Sequence, residues 1–401
     1  MSEVERGRLQ LKKNQDRRLR AGHLWVYSNE VDIARTPLRG LTSGQLVDVE
    51  NAQGRWLGLA YANPNSLICA RLVSRDPKLT LDRSLLVHRI KVALALRERL
   101  YRRPFYRLLF GEGDGVPGVV VDRYGDYLVV QITTAGMELQ REALVEALVR
   151  VLRPAGILLR NDAASRRQEG LVQYTELAHG HVPERVEVEE GGARFEVSPG
   201  EGQKTGWFYD QAANREQFVR YVDGCRVLDV CSYVGAWSVR AAMAGAASVH
   251  AVDVSAQALE QLERNAEMNQ VADRVHGING DAFQTLRELR AERERFDVVV
   301  LDPPAFVKRR KDLKAGALAY RRLNEAAIAL LARDGMLVTA SCSFHMDRDQ
   351  LLRGVQQAAR HSDRNLQLLQ QGHQSPDHPI HPAIPETAYL KAFYLRVLPT
   401  L

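Results

Sequence analysis

Five short apolar runs in the second half of the chain, at residues 226–230, 248–254, 275–279, 296–302 and 335–341, alternate with segments of helical periodicity such as 258–269. Strands separated in this way pair in parallel, because each crossover helix must pack back onto the sheet it left. The pattern predicts an α/β fold for residues 191–401: a doubly wound, Rossmann-like parallel sheet. It also limits where chemistry can sit, since open sheets of this kind bind ligands at the carboxyl ends of their strands. A further apolar run, 388–397, reads as a late edge or antiparallel strand.

The earlier half has a different texture. Within residues 1–75, the short segments 45–49, 56–60 and 67–73 are β-like and punctuated by glycine, which predicts a small β-barrel. Its leading edge carries Lys12, Lys13, Arg17, Arg18 and Arg20, then His23-Leu24-Trp25-Val26-Tyr27. Cations interleaved with aromatic rings suit a nucleic-acid surface, so Lys12, Lys13, Arg17, Arg18 and Trp25 are candidate RNA contacts. The alternative is a solvated arm with Trp25 in the barrel core. Residues 76–190 predict a small central α+β domain. It has helices at 81–101 and 138–151, a strand at 156–160, and two strands joined by the hairpin signal Gly125-Asp126. The glycine-rich stretch 111–118 lacks the Lys-Ser/Thr of a phosphate-binding loop and reads as a turn.

The formal charge of +6 favours an anionic partner without requiring one. Four cysteines, Cys69, Cys225, Cys231 and Cys342, form no CxxC pair and no Cys/His cluster with zinc spacing, so neither a metal site nor a disulfide framework is expected. No apolar run approaches membrane-spanning length and no signal-peptide core is visible, which predicts a cytoplasmic protein with reduced thiols and no membrane partner.

Acidic residues close three successive strands. Asp229 precedes the turn Cys231-Ser232-Tyr233-Val234-Gly235, Asp253 ends the second strand, and Asp281-Ala282 follows the third. The turn has a single glycine and no basic cradle for a pyrophosphate. S-adenosylmethionine has no phosphate and carries a sulfonium cation, so acids at strand ends suit it better than they suit a dinucleotide. Asp229, Ser232, Tyr233, Gly235, Asp253, Asp281 and Ala282 are the candidate cofactor residues. Lys204, Thr205, Gly206 and Tyr209 are added from the upstream stretch 202–211, which predicts a loop over the cofactor. Each acid taken alone reads equally well as a helix N-cap or turn former.

The fourth strand runs into Asp302-Pro303-Pro304-Ala305-Phe306 and the fifth into Ser341-Cys342-Ser343. A thiol on one strand end and a substrate-gripping loop on its neighbour point to methylation of a pyrimidine at carbon 5. That carbon is a poor nucleophile until a thiolate adds at carbon 6. Cys342 is the candidate nucleophile. Asp302 is the candidate for binding the pyrimidine edge or its protonated ring nitrogen, and also for contact with the cofactor. A cysteine after a strand is otherwise a small buried apolar residue, the reading given to Cys225 and Cys231. Lys308, Arg309 and Arg310 follow at once and are candidate phosphate contacts or simply a solvated loop.

Gly22-His23-Leu24-Trp25-Val26-Tyr27-Ser28, 113–118, Lys204 to Gln211, Ser232-Tyr233-Val234-Gly235, Asp302 to Phe306 and Ser341-Cys342-Ser343 together resemble the 23S ribosomal RNA 5-methylcytosine methyltransferases with an N-terminal PUA domain, the large-subunit methyltransferase I family. The resemblance covers nearly the whole length. It implies a PUA barrel, a central domain and a class I methyltransferase domain. It also implies S-adenosylmethionine as cofactor, 23S RNA or a large-subunit assembly intermediate as partner, and a homodimer. Cys342 matches the family nucleophile, and Ser232, Tyr233 and Gly235 match its cofactor loop. Ala236 replaces a frequent second glycine and Ala305 a frequent lysine. Enzymes with two cysteines carry the second where Ala305 stands, so product release needs another base, for which Glu386 is a candidate.

Other readings stay open. A 5-methyluridine enzyme would also pair Asp-Pro-Pro with Ser-Cys but would continue Asn-Pro, where this chain has Ser343-Phe344. A guanine amino-group enzyme would need no cysteine. A non-catalytic RNA-binding assembly factor would need neither Cys342 nor Asp302.

Overall fold

The computed structural model describes residues 6–200 and 206–400. They fall into two compact units. One lies within Met1–Val186, Ser198–Trp207 and Asp377–Thr387, the other within Glu187–Val197, Phe208–Pro376 and Ala388–Leu401. Among the described residues no helix is long and apolar enough to cross a membrane.

In the first unit, five strands, Gly7–Gln10, Trp25–Tyr27, Leu46–Glu50, Trp56–Ala62 and Ile68–Ser74, form one sheet. A bridge between Leu11 and Val31 draws its two ends together, which makes the predicted barrel. Leu9, Val26, Val47, Val49, Ala60 and Leu72 alternate inward along these strands and fill it. The following segment builds a second five-stranded sheet against helices Arg83–Leu100 and Arg141–Leu152. Asp82 caps the longer helix by accepting from the Leu85 amide at 2.9 Å. The hairpin at Gly125-Asp126 forms as its sequence predicts, with Tyr124 opposite Tyr127. Strands Phe105–Phe110 and Tyr174–Gly180 were not anticipated. The stretch 111–118 is a turn: Asp114 accepts two bonds from buried Arg97, at 2.6 and 2.7 Å. Barrel residues Leu59, Tyr61 and Val73 share one core with this segment, so the two are a single compact unit.

The second unit holds a seven-stranded sheet. In spatial order its strands are Val275–Asn279, Ser248–Asp253, Arg226–Val230, Phe296–Leu301, Leu331–Ser341, Lys391–Pro399 and Arg364–Gly372. The first five are parallel, as the alternation requires. Lys391–Pro399 is antiparallel to both its neighbours and lies inside the sheet. The edge belongs to Arg364–Gly372, a strand that the sequence reading lacked. The chain order reverses between Arg226–Val230 and Phe296–Leu301, where Val230 faces Leu301. The crevice beyond these two carboxyl ends is the topological switch point, where such sheets bind ligands.

Candidate active site

The turn after Arg226–Val230 is sharply bent. Cys231, Tyr233 and Gly235 have φ values of +66, +51 and +87, all in the left-handed region. Only Gly235 takes that conformation without steric cost, and a Cβ there would stand 2.7 Å from Leu262 Cγ. The bend is held from the next strand. The Cys231 and Ser232 amides donate to the Val252 carbonyl at 2.9 and 3.0 Å. Asp253 accepts from the Tyr233 amide and the Ser255 amide, each at 2.9 Å. Asp253 is therefore a rigid carboxylate at a strand end, with lone pairs left for ligand hydroxyls. Tyr233 packs edge-on against Phe208, with ring centroids 5.5 Å apart.

The other two acids stand differently. Asp229 is fully buried and accepts from the Ser238 hydroxyl at 2.6 Å, while its second oxygen has no hydrogen-bond partner. Burial pushes its pKa up to about 7, and the charges of Asp302 and Asp253 add to the shift. Asp281 caps the helix Ala282–Ala291 by accepting from the Gln284 amide at 3.1 Å, and is exposed. Ala282 is the first residue of that helix. All four acids, Asp253, Asp302, Asp229 and Asp281, act electrostatically on half-buried Cys231, whose thiol is pushed up mainly by desolvation. This crevice is negative. It suits a sulfonium cation and repels a pyrophosphate.

Asp229 supports a pH prediction. An unfolded aspartate ionises near pH 4, but this one resists until about pH 7. The folded state therefore binds the extra proton, and its stability falls as pH rises between those values. Replacing Asp229 with Asn removes the term. The thermal stability of the Asn variant relative to the parent should climb from pH 5 to pH 7 and then level off. Equal pH slopes for the two proteins would refute a buried, reluctant carboxyl.

Asp302 is half-buried and held from both sides. Its oxygens accept from Gln211 Nε2 at 2.8 Å and Trp237 Nε1 at 3.0 Å. Asn214 donates to the Gln211 carbonyl at 2.6 Å, which turns the Gln211 amide nitrogen toward Asp302. Burial raises the Asp302 pKa, Asp210 adds to the rise, and the Trp237 bond and the Arg215 charge oppose it. Gln211 and Trp237 were not anticipated as site residues. Both lie in stretches that the sequence marked, yet only the fold shows that they converge on one carboxylate.

The two strand-end motifs meet. The Val307 amide, just past Asp302-Pro303-Pro304, donates to Ser343 Oγ at 3.1 Å. Ser343 Oγ also lies 3.0 Å from the Tyr320 hydroxyl, and the Ser343 amide donates to Ser341 Oγ at 3.2 Å. Ser341 and Ser343 are buried while Cys342 between them is half-buried. The serines tie the turn down on both sides of Cys342. Lys391, opposite Ser341 on the antiparallel strand, is buried and donates to the carbonyls of Ser343 at 2.6 Å and Tyr389 at 2.9 Å. Burial lowers its pKa to about 8, and the charge of the Cys342 thiolate works against that fall. Sequence reading missed Lys391, which looked like one polar residue in an apolar strand.

The remaining candidates are more scattered. Lys204 and Thr205 lie outside the described residues. Gly206, with φ +106, belongs to the first unit, and Tyr209 is buried in the second. Trp25 is outside the barrel core and its indole donates to Glu112 at 2.7 Å. Arg18 pairs with Glu30 at 2.7 Å, and Lys12 donates to the Asn29 carbonyl at 2.9 Å. Lys13 and Arg17 are exposed. Arg309 pairs with Asp312 at 3.1 Å, while Lys308 and Arg310 are exposed. Glu386 is in the first unit, where its charge acts on His23 and Tyr27.

Known proteins show the same combination. The PUA-like domain family matches residues 9–75, and the S-adenosylmethionine-dependent methyltransferase family matches residues 160–396. The ribosomal RNA large subunit methyltransferase I of Cronobacter sakazakii is 38% identical over 400 residues, covering 98% of this chain and 99% of that protein. Its namesake from Shewanella denitrificans is 38% identical over 395 residues, covering 97% and 99%. The structure of SMU.776, described as a putative methyltransferase complexed with SAH, superposes with a TM-score of 0.84 over 97% of this chain and 100% of its own, at 21% identity, which speaks to the fold. An acidic switch-point crevice, a sharply bent loop and an end-to-end match with these relatives agree: the chain is an S-adenosylmethionine-dependent methyltransferase and belongs to the ribosomal RNA large subunit methyltransferase I family.

Proposed function

We propose that this protein methylates carbon 5 of a cytosine in 23S ribosomal RNA through a transient bond between Cys342 Sγ and carbon 6 of the ring. The observation that carries the reading is the bond from the Val307 amide to Ser343 Oγ, which joins the Asp302 loop to the Cys342 turn. Bound S-adenosylmethionine supplies an electrophilic methyl group. Asp253 accepts from its ribose, the turn Ser232 to Gly235 lets backbone amides approach closely, and the acids around Cys231 balance the sulfonium. Ser232, Tyr233, Gly235, Asp281 and Ala282 line the same ligand in this reading, and Lys204, Thr205, Gly206 and Tyr209 remain its candidate contacts.

The thiolate of Cys342 adds to carbon 6, and the electron pair of the 5,6 double bond passes to carbon 5. Asp302, held by Gln211 and Trp237, accepts from the cytosine edge and stabilises the proton on its ring nitrogen. Carbon 5 takes the methyl, a base then removes the carbon-5 proton, and the returning electron pair expels the Cys342 thiolate. Lys391 places a positive charge beside that thiolate when it forms and when it leaves. A base within RNA must be unpaired or flipped to reach Cys342. The barrel, with Lys12, Lys13, Arg17, Arg18 and Trp25, holds the surrounding RNA, and Lys308, Arg309 and Arg310 grip phosphates next to the target. The division into residues 1–75, 76–190 and 191–401, a cytoplasmic location and a homodimer belong to the same proposal.

The test is methyl transfer from labelled S-adenosylmethionine to unmodified 23S RNA, followed by nucleoside analysis. Label in 5-methylcytosine supports the reading. Label in 5-methyluridine or a methylated guanine overturns the choice of base. No label on RNA or on assembling subunits overturns the enzyme.

A further inference from the structure

The helices Leu313–Leu330 and Arg348–His361 both start at the carboxyl edge of the sheet, one after the Asp302 loop and the other after the Cys342 turn. A groove of about 310 Å³ runs between their first halves. Its basic walls are Lys314, Arg321 and Arg353, and Ala317, Leu318 and Gly354 contribute an apolar lining. No carboxylate lines it. Among the described residues no ion pair is formed by these three cations, of which Lys314 and Arg353 are exposed and Arg321 is half-buried. Arg321 Nε is buried and has no acceptor at all. A buried donor without an acceptor is costly, and an incoming oxygen would remove that cost.

The groove is not isolated from the site. Tyr320, one residue before Arg321 on the same helix, meets Ser343 Oγ at 3.0 Å. One helix therefore carries both a contact to the Cys342 turn and a wall of the groove. Exposed Lys308, Arg310 and Lys311 stand on the chain between Asp302 and Lys314 and extend the same positive stripe.

We propose that this groove binds the sugar–phosphate backbone of the substrate RNA a few nucleotides from the methylated base. The proposal rests on the reading of the protein as an RNA methyltransferase and adds a second grip on its substrate. Unpaired cations on a narrow floor match a polyanion strand, and the absence of aromatic rings from the lining favours backbone over base recognition. The grip would fix the strand's path, so that a flipped base is delivered toward Cys342.

The experiment measures binding of unmodified 23S RNA over a range of salt concentrations, for the parent and for the combined variant Lys314→Gln, Arg321→Gln, Arg353→Gln. Each phosphate contact contributes about 0.7–0.9 to the slope of log affinity against log salt, so the variant's slope should fall by about 2. RNA affinity near physiological salt should drop roughly tenfold, with S-adenosylmethionine affinity and melting temperature kept. Should the combined variant fold poorly, exposed Arg353→Gln alone should lower the slope by about 1. Unchanged affinity and slope overturn the proposal, whatever happens at Cys342. The same result with loss of binding to an acidic protein would reassign the groove to that partner. A lowered slope with label at another base supports the groove while sinking the carbon-5 chemistry.

Discussion

Cys342→Ala is expected to abolish methyl transfer, lowering the rate by at least about 1,000-fold while leaving S-adenosylmethionine binding intact. The reason is chemical. Without addition at carbon 6, carbon 5 has no electron pair to offer, and no other group at this strand end supplies one. Ser341 and Ser343 are engaged in holding the turn, and half-buried Cys231 lies among four acids that disfavour its thiolate. The substitution removes a half-buried sulfur and leaves the turn's bonds to Val307 and Tyr320 in place, so the fold should persist. The measurement pairs RNA methylation with calorimetric cofactor binding. RNA carrying 5-fluorocytidine adds a second check: it should trap the parent covalently and the variant not at all. A variant that methylates normally would end the thiol-adduct mechanism.

Lys391→Met should produce the next largest effect, a loss of about 10–100-fold near pH 7, through the charge it denies Cys342. Lys391 donates to the Ser343 carbonyl and feels the thiolate next to it. With a pKa pushed down to about 8, it is protonated at neutral pH and loses its charge just above. The neighbouring charges belong to Arg348, which lowers this pKa, and Asp347, which raises it, and Tyr320 also faces Cys342. The informative readout is Cys342 alkylation by iodoacetamide against pH. In Lys391→Met the midpoint should move up by about one unit, and Lys391→Arg should move it back in part. A lysine that merely propped up the strand would lower activity equally at every pH and leave the midpoint unmoved.

The sheet was legible because its inner parallel strands are largely buried and read as apolar runs, and the alternation with helices placed the exposed edge strand Val275–Asn279 beside them. Arg364–Gly372 escaped because an edge strand is half solvated, and Arg364-Asn365-Leu366-Gln367-Leu368-Leu369-Gln370-Gln371 has no clean period. The strand-end motifs were visible as residue types, and the roles proposed for Cys342 and Asp302 were argued from chemistry. What holds them was not. Gln211 and Trp237 reach Asp302 from segments 91 and 65 residues away. Lys391 reaches the Ser343 carbonyl from 48. Such approaches are set by sheet order, which local pattern does not encode. Asp281 shows the opposite limit: an acid at a strand end that the next helix uses as its cap.

The strand bearing Lys391 is synthesised after both of the strands it separates. Until it arrives, Leu331–Ser341 presents an open row of backbone donors and acceptors, and Arg364–Gly372 has nothing to pair with. The nascent chain can thus complete its five parallel strands, with the acidic crevice among them, while the Cys342 turn still lacks its ammonium anchor. Insertion of Lys391–Pro399 closes the sheet and sets the thiol's electrostatic surroundings in one event. On a growing polypeptide surrounded by ribosomal RNA, that order of assembly would delay a reactive sulfur until the domain carrying it is whole.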